Sequence, residues 1–464
     1  MQKKVIIITL ILLIFSGGLL NAQDSTSINV ISEIKIIGNK TTKPQIISRE
    51  LPFAVGDTLL ACQLDAILEQ AKSNLFNTQL FNFVTMQPVY YDSLHLSIYI
   101  TVEERWYWWV APIFLLDEIN FNTWWKDKDF DQVSYGAFVA KENFRGRKER
   151  IALKVQLGYT EEVAFRYSIP YLNKKKTQGI RIGASYFRNH QINFGTTDNK
   201  FDYYKSKNDY VRKVIVTQTS YDYRPKLYSL HRLQLDYNNV SVDDSVVFYN
   251  PNYLSEGNSK SEYLSFRYYL NRDKRNLKWY PTKGYFYSLQ LKQDGFGALD
   301  KNINSFTSKI DYRKYLQLSD HFYLATSIRG KYSFTKAPYY LQDGLAFGSQ
   351  VVRGYELYVV NGDHYGLFKN QLRYQLLDKV YQLRHMPFSK FNKIPFAIYL
   401  GAYFDAGYVS SESTEINNFL TNKALMGGGL SLDFVSYYDL VFRIEYSINK
   451  MKEHGLFLHF VAPI

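Results

Sequence analysis

The sequence predicts a mainly β protein: an antiparallel transmembrane β-barrel of about 16 strands, preceded by one small α+β domain of order strand, helix, helix, strand, strand. Three observations carry this. From residue 106 onward, alternating apolar and polar runs are parted by polar turns, and most runs, at about 10 to 14 residues, are long enough to cross a bilayer when tilted. Tyr and Phe number 41 and 32, an aromatic enrichment that favours strands. Beyond the N-terminal segment no run of 18 apolar residues occurs, so any membrane crossing falls to strands. At 464 residues the chain also exceeds one compact core, which suits two units or one large barrel.

The first 22 residues read as a secretory signal peptide. Lys3 and Lys4 precede an apolar run from Val5 to Phe15, and the small Ala22 stands before the expected cut. The run is shorter than the roughly 20 residues a spanning helix needs. The expected division is therefore a signal peptide over 1–22, the small domain over 23–104 and the barrel over 105–464. Cys62 is the single cysteine, which excludes an internal disulfide framework; it is expected to pack at the start of a helix. The net charge of +13 is spread evenly beside turns, which predicts a solvated, loop-rich surface and no nucleic-acid partner.

In the small domain, Ile31 to Ile37 alternates as a strand and ends at Gly38-Asn39. Thr41-Thr42-Lys43-Pro44 then predicts a helix over 45–51, with Thr as cap and Pro in its first turn. Leu64, Ile67, Leu68, Ala71 and Leu75 recur at helical spacing. Strands are expected over 83–90 and 94–102. A free edge of this sheet suits an extended client segment.

Barrel strands are expected near 106–115, 132–141, 149–159, 163–169, 178–190, 210–220, 227–240 and 259–270. The second eight fall near 283–294, 304–316, 320–333, 364–377, 395–409, 424–436, 438–449 and 454–463. Runs such as Ile151 to Tyr159 put apolar and polar residues on opposite faces, as a lipid-facing wall around a polar lumen requires, and closing the ring removes edges that lipid would penalise. Trp106-Tyr-Trp-Trp109, Trp124-Trp125 and Tyr437-Tyr438 fit interfacial girdles. Long connections at 116–131, 191–209, 241–258, 334–363 and 410–423 fall on one side, and short turns near 317–319 and 436–437 on the other. Two connections break the rule: 160–162 is too short and 378–394 too long. His364 and His385 fall in connections and are expected to be solvated. No Ser-His-Asp or paired-carboxylate arrangement and no metal spacing recurs, so no enzyme activity, catalytic residue, metal or cofactor is expected.

Ile34-Lys-Ile-Ile-Gly-Asn39, Gly56-Asp-Thr58, Leu75-Phe-Asn-Thr-Gln-Leu-Phe81 and Ile98-Tyr-Ile-Thr-Val-Glu-Glu104 resemble a POTRA (polypeptide-transport-associated) domain, in a single copy. In the second half, Val352-Arg-Gly-Tyr355, Tyr403-Phe-Asp-Ala-Gly407, Pro281-Thr-Lys-Gly284, Gly427-Gly-Gly-Leu-Ser431 and Arg443-Ile-Glu-Tyr446 resemble the BamA/TamA superfamily of outer-membrane insertases and translocators, the bacterial surface antigen family. The resemblance implies that loop 334–363 folds into the lumen, with Val352, Arg353, Gly354 and Tyr355 at its tip. It also implies an anchor at Asp405, flanked by Tyr403 and Gly407, with Gln371 standing where many relatives carry a Glu. A C-terminal sorting signal would use Gly455, Leu458 and Phe460. Pro463, which lacks an N–H, marks the expected end of pairing, so the first and last strands would meet weakly.

The implied role is assistance in inserting polypeptide clients into the outer membrane, or in moving them across it, with the N-terminal domain in the periplasm. Implied partners are unfolded or extended polypeptides, outer-membrane lipids, and periplasmic chaperones or accessory lipoproteins. A passive solute pore and a surface-anchoring barrel with a plugged lumen are the alternatives.

Overall fold

A computed structural model describes residues 27–116, 133–297, 299–345, 350–383, 392–412, 418–436 and 440–460. The expected signal peptide, Trp124-Trp125, Tyr437-Tyr438, His385 and Pro463 lie outside the described residues.

The small domain is a sheet of β1 (Ile28–Ile37), β2 (Thr58–Leu60), β3 (Phe81–Tyr90) and β4 (His95–Glu104) in the order β2-β1-β4-β3, with β1 and β4 parallel. Helices α1 (Pro44–Ser48) and α2 (Leu64–Phe76) pack on it. Leu64, Leu68, Ala71 and Leu75 form one stripe of α2 and bury against Ile31, Leu96, Ile98 and Ile100. Each large apolar side chain there contributes about 1.5–3 kcal/mol by leaving water.

Three expectations change. β2 was not predicted, because three residues are too few to show alternation. The threonine cap is corrected: Lys43 is the N-cap and makes no side-chain cap bond. The amides of Thr41 and Thr42 instead donate to Glu104 Oε1 at 3.0 and 2.6 Å, and the Thr42 hydroxyl meets that of Tyr107 at 3.1 Å. Cys62 is exposed, in a single 3-10 turn ahead of α2, and does not pack.

The remainder forms one 16-stranded antiparallel sheet. Its first eight strands are β5 (Trp108–Leu116), β6 (Val133–Phe144), β7 (Glu149–Gly158), β8 (Thr160–Ile169), β9 (Gln178–Asn189), β12 (Arg212–Lys226), β13 (Ser229–Val242) and β14 (Lys260–Asp273). The second eight are β15 (Gly284–Asp294), β16 (Ser305–Gln317), β17 (Phe322–Ser333), β18 (His364–Gln382), β19 (Lys393–Ser410), β20 (Ala424–Val435), β21 (Val441–Asn449) and β22 (His454–Phe460). The hairpin of β10 (Gln191–Thr197) and β11 (Lys200–Lys205) stands apart from this sheet. Ile215, Leu235, Ile310, Ile328, Phe404 and Leu430 lie exposed on the outer face, while Asp236, Lys331, Arg373, Asp433 and Arg443 are buried on the inner one. That division is a lipid-facing wall around a polar lumen.

Both irregular connections have local causes. β7 and β8 are joined through Tyr159 alone, at Gly158 with φ +101°, a backbone region open to glycine. The connection at 378–394 shrinks because β18 and β19 extend past a register shift between Gln375 and Leu377, which hid the alternation. His364 is a strand residue: its Nδ1 accepts from the Ser333 amide at 3.1 Å, and its ring stacks on Tyr332. In the aromatic cluster Tyr107 is buried in the small domain's core, and Trp106 and Trp109 line a cavity beside that domain. The girdle reading therefore fails for Tyr107.

The small domain docks against one rim of the barrel. Lys43 N donates to Gly146 O, Arg49 Nε to Lys176 O, and Asn77 Nδ2 to Arg275 O and Asn276 O. Arg224 grips Glu50 in a two-pronged pair at 2.5 and 2.6 Å. Every one of these partners lies in or beside a connection that follows an even-numbered barrel strand. The opposite rim carries the long loops.

At the junction of first and last strands, among the described residues, β5 pairs only with β6 and β22 only with β21, with no ladder between them. Pro112 within β5 has no N–H to donate, which suits an edge strand.

Candidate functional site

Loop 334–363 turns into the lumen, and its tip packs in an apolar pocket. Val352 and Tyr355 bury with Leu345, Val360, Tyr365, Leu367, Val409 and Leu425. Gly354 holds φ +94°, which lets the tip reverse without a Cβ penalty. The wall opposite is cut to fit: a Cβ on Gly427 would lie 1.8 Å from Arg353 O.

Arg353 is 2% exposed. Its Nε and Nη2 donate to Asp405 Oδ2 and Oδ1 at 2.8 and 2.6 Å, and its backbone N–H donates to Oδ2 at 3.1 Å. A planar guanidinium on a carboxylate in this two-pronged form fixes orientation as well as distance. The guanidinium also lies over the Tyr403 ring, 3.7 Å from its centroid, a contact that gains from desolvation. Lys369 Nζ stands 3.5 Å from Asp405 and donates to Val351 O at 3.2 Å.

A second carboxylate, Glu445 on β21, meets Arg353 Nη1 at 3.3 Å and Arg443 Nη1 at 3.5 Å. Arg443 in turn forks onto Asp433 at 2.7 and 2.8 Å, and Asp433 accepts from the Tyr280 hydroxyl at 2.8 Å. The cluster thus ties the loop tip to β19 and β21 with matched charges, the condition under which buried ions are tolerated. It holds no nucleophile–base pair aimed at open space.

The residues picked from sequence fall into three groups. Val352, Arg353, Gly354, Tyr355, Tyr403, Asp405 and Gly407 come together; a Cβ on Gly407 would meet Val352 Cγ2 at 2.5 Å. Gln371 is buried on the same wall, but it donates to Ser431 Oγ at 2.8 Å and accepts from Arg373 at 3.5 Å, and has no bond to Arg353. Gly455, Leu458 and Phe460 lie on β22, far along the wall, with Leu458 and Phe460 facing outward and exposed. Sequence reasoning missed Glu445 as a partner of Arg353, although Arg443-Ile-Glu-Tyr446 had been singled out.

Among the described residues, Glu356, Glu445 and His459 each bring a ligand-type atom within 4.8 Å of the others. Two guanidinium groups already face Glu445, which disfavours adding a cation there. Burial pushes the Glu356 carboxyl up, against the lowering effect of the amide bonds it accepts.

The outer mouth is covered by the protein's own loops. Val359 and Asn199 exchange bonds, Asn199 N and Asn199 Oδ1 hold Asn418 and Leu420, and Asn418 reaches Thr196. The β10–β11 hairpin is thereby clamped between loop 334–363 and the 410–423 connection.

An Omp85 superfamily domain model matches residues 143–453, and a model described as POTRA, surface antigen variable number repeat, matches residues 29–105. The crystal structure of BamA from Haemophilus ducreyi lacking POTRA domains 1–3 is similar over 93% of this chain and 83% of that one, with 16% identity and a TM-score of 0.51. CdiB from Escherichia coli aligns over 96% of this chain and 92% of its own at 11% identity, with a TM-score of 0.48. No curated protein sequence matches the chain.

Proposed function

Because the chain belongs to the Omp85 superfamily, and is an outer-membrane β-barrel with its N-terminal domain in the periplasm, we propose that it is a non-enzymatic assembly factor. Its task is to help polypeptide clients insert into the outer membrane or cross it. The observation that carries this is that, among the described residues, no ladder joins β5 to β22. Unpaired strand edges in a wall are templates for a further strand, and lipid makes any unmade backbone bond costly. A client strand that pairs there gains what the edges lack, so client folding itself supplies the work.

The lumen cluster has a positioning role in this scheme. Arg353 on Asp405, stacked on Tyr403, holds loop 334–363 against β19 and β21, next to the last strand. Gly407 gives the loop room, and Gln371 braces the wall through Ser431. Gly455, Leu458 and Phe460 on β22 serve the protein's own sorting. Clients are unfolded or extended polypeptides, with outer-membrane lipids around the seam and periplasmic chaperones or accessory lipoproteins delivering to the small domain. There β3 is an edge strand on which an extended segment can add.

A freely conducting pore is disfavoured by the loops across the mouth and by the domain docked on the other rim. The test is depletion of the protein followed by quantification of outer-membrane and surface proteins. Selective loss of a client set is expected. A changed permeability with every outer-membrane protein retained would favour the pore, and no change in either would favour a surface anchor.

A further inference from the structure

Between the small domain and the barrel rim lies a half-open cavity of about 570 Å³, within the size range of small-ligand sites. Its charged lining is unbalanced. Eight cationic residues face it (Arg105, Lys148, Arg150, Arg166, Arg181, Arg224, Arg275 and Lys278) against four acidic ones: Glu50, Glu142, Asp222 and Asp273. All four carboxylates are already engaged, by Arg224, Arg150, Arg181 and Arg275 respectively. Among the described residues no carboxylate lies within ion-pair distance of Lys148, Arg166 or Lys278.

The two lysines are held in place from the small domain's side. Lys278 N donates to Asn77 Oδ1 at 2.9 Å. Lys148 N donates to Asn143 Oδ1 at 2.9 Å, and Asn143 Nδ2 donates to Thr42 Oγ1 at 2.9 Å. The cavity is therefore complete only while the domain is docked.

We propose that this cavity binds a phosphate-class oxyanion, held by Lys148 and Lys278 with Arg166 beside them, and that the anion is part of the joint between the small domain and the barrel. A compact, multiply charged acceptor suits ammonium and guanidinium donors converging on one cleft. Inorganic phosphate and a phosphorylated lipid headgroup offer the same chemistry. Binding and docking are then linked, each strengthening the other. Burial, with the like charges of Arg224, Lys278 and Arg181, lowers the Lys148 ammonium to about 8, so affinity should fall as pH rises above about 8. The site stands or falls independently of the client reading, because its readout is anion binding.

The test is titration of the full-length protein in detergent with inorganic phosphate, followed by ³¹P NMR and calorimetry, with short-chain phosphatidic acid as a second probe. Saturable binding is expected, weakened about tenfold or more in Lys148→Ala/Lys278→Ala, unchanged in Lys174→Ala on an exposed turn, and lost toward high pH. Binding of phosphatidic acid alone would assign the same site to a lipid headgroup. Phosphate that fails to saturate, or binds the double variant equally, overturns the proposal if phosphatidic acid also fails. Binding of polyglutamate that phosphate does not displace would overturn it in favour of an acidic peptide.

Discussion

Removing Asp405 tests the lumen cluster most sharply, because three donors of one residue converge on its carboxylate. Each hydrogen bond to a charged group nets about 1.5–3 kcal/mol, and breaking a buried pair from one side costs about 3–5 kcal/mol. Glu445 at 3.3 Å retains part of the attraction for Arg353. Asp405→Ala is thus expected to favour loop release by about 3 kcal/mol. Arg353→Ala should cost a similar amount, and the double variant about 4 kcal/mol, which leaves a coupling of about 2 kcal/mol. The assay is hydrogen exchange of the 350–358 segment in detergent, which reports the loop's opening free energy. Effects that simply add, within about 0.5 kcal/mol, would refute the reasoning that the two side chains act as one anchor.

Gly427→Ala should displace the loop without touching any charge, since the new Cβ would fall 1.8 Å from Arg353 O; exchange at 354–358 is expected to rise about tenfold, with Gly366→Ala, where a Cβ meets nothing within 4 Å, as the unchanged control. Docking of the small domain should depend on pH through Glu50. Burial would raise that carboxyl, but Arg224 and Tyr171 hold it well below the usual carboxylate range. A depressed folded-state pKa stabilises docking above the free value of about 4.3 and loses that contribution as pH falls below it. Fluorescence transfer between dyes on the domain and the barrel should therefore stay constant from pH 7 to about 5 and fall only in stronger acid, while Glu50→Gln weakens docking at pH 7 and flattens the profile.

Much of the wall was legible because lipid outside and polar groups inside impose a period of two on every strand. Sixteen segments could be placed from that alone, though their ends shifted by a few residues, as at the end of β18, where a register shift at Gln375 interrupts the pattern. The β10–β11 hairpin was hidden because it lies clear of both lipid and lumen. Its residues answer to loop contacts such as Asn199 with Val359. Arg353 and Asp405 were readable as motifs. Glu445 as their companion was not: it stands 92 residues from Arg353, and only the curvature of the wall brings β21 beside the loop. The weak junction of first and last strands was legible in part. Pro463, to which the weakness was assigned, lies outside the described residues, and Pro112 within β5 is a second residue with no N–H to donate.

The central claim is that the wall is open to strand pairing between β5 and β22, and site-specific photo-crosslinking in cells tests it most directly. A photoreactive residue at Val110 or Leu458 should capture polypeptide during outer-membrane assembly, whereas one at Ile310, in the middle of the sheet, should capture lipid only. Polypeptide adducts that form equally at all three positions, or at none, would contradict the account.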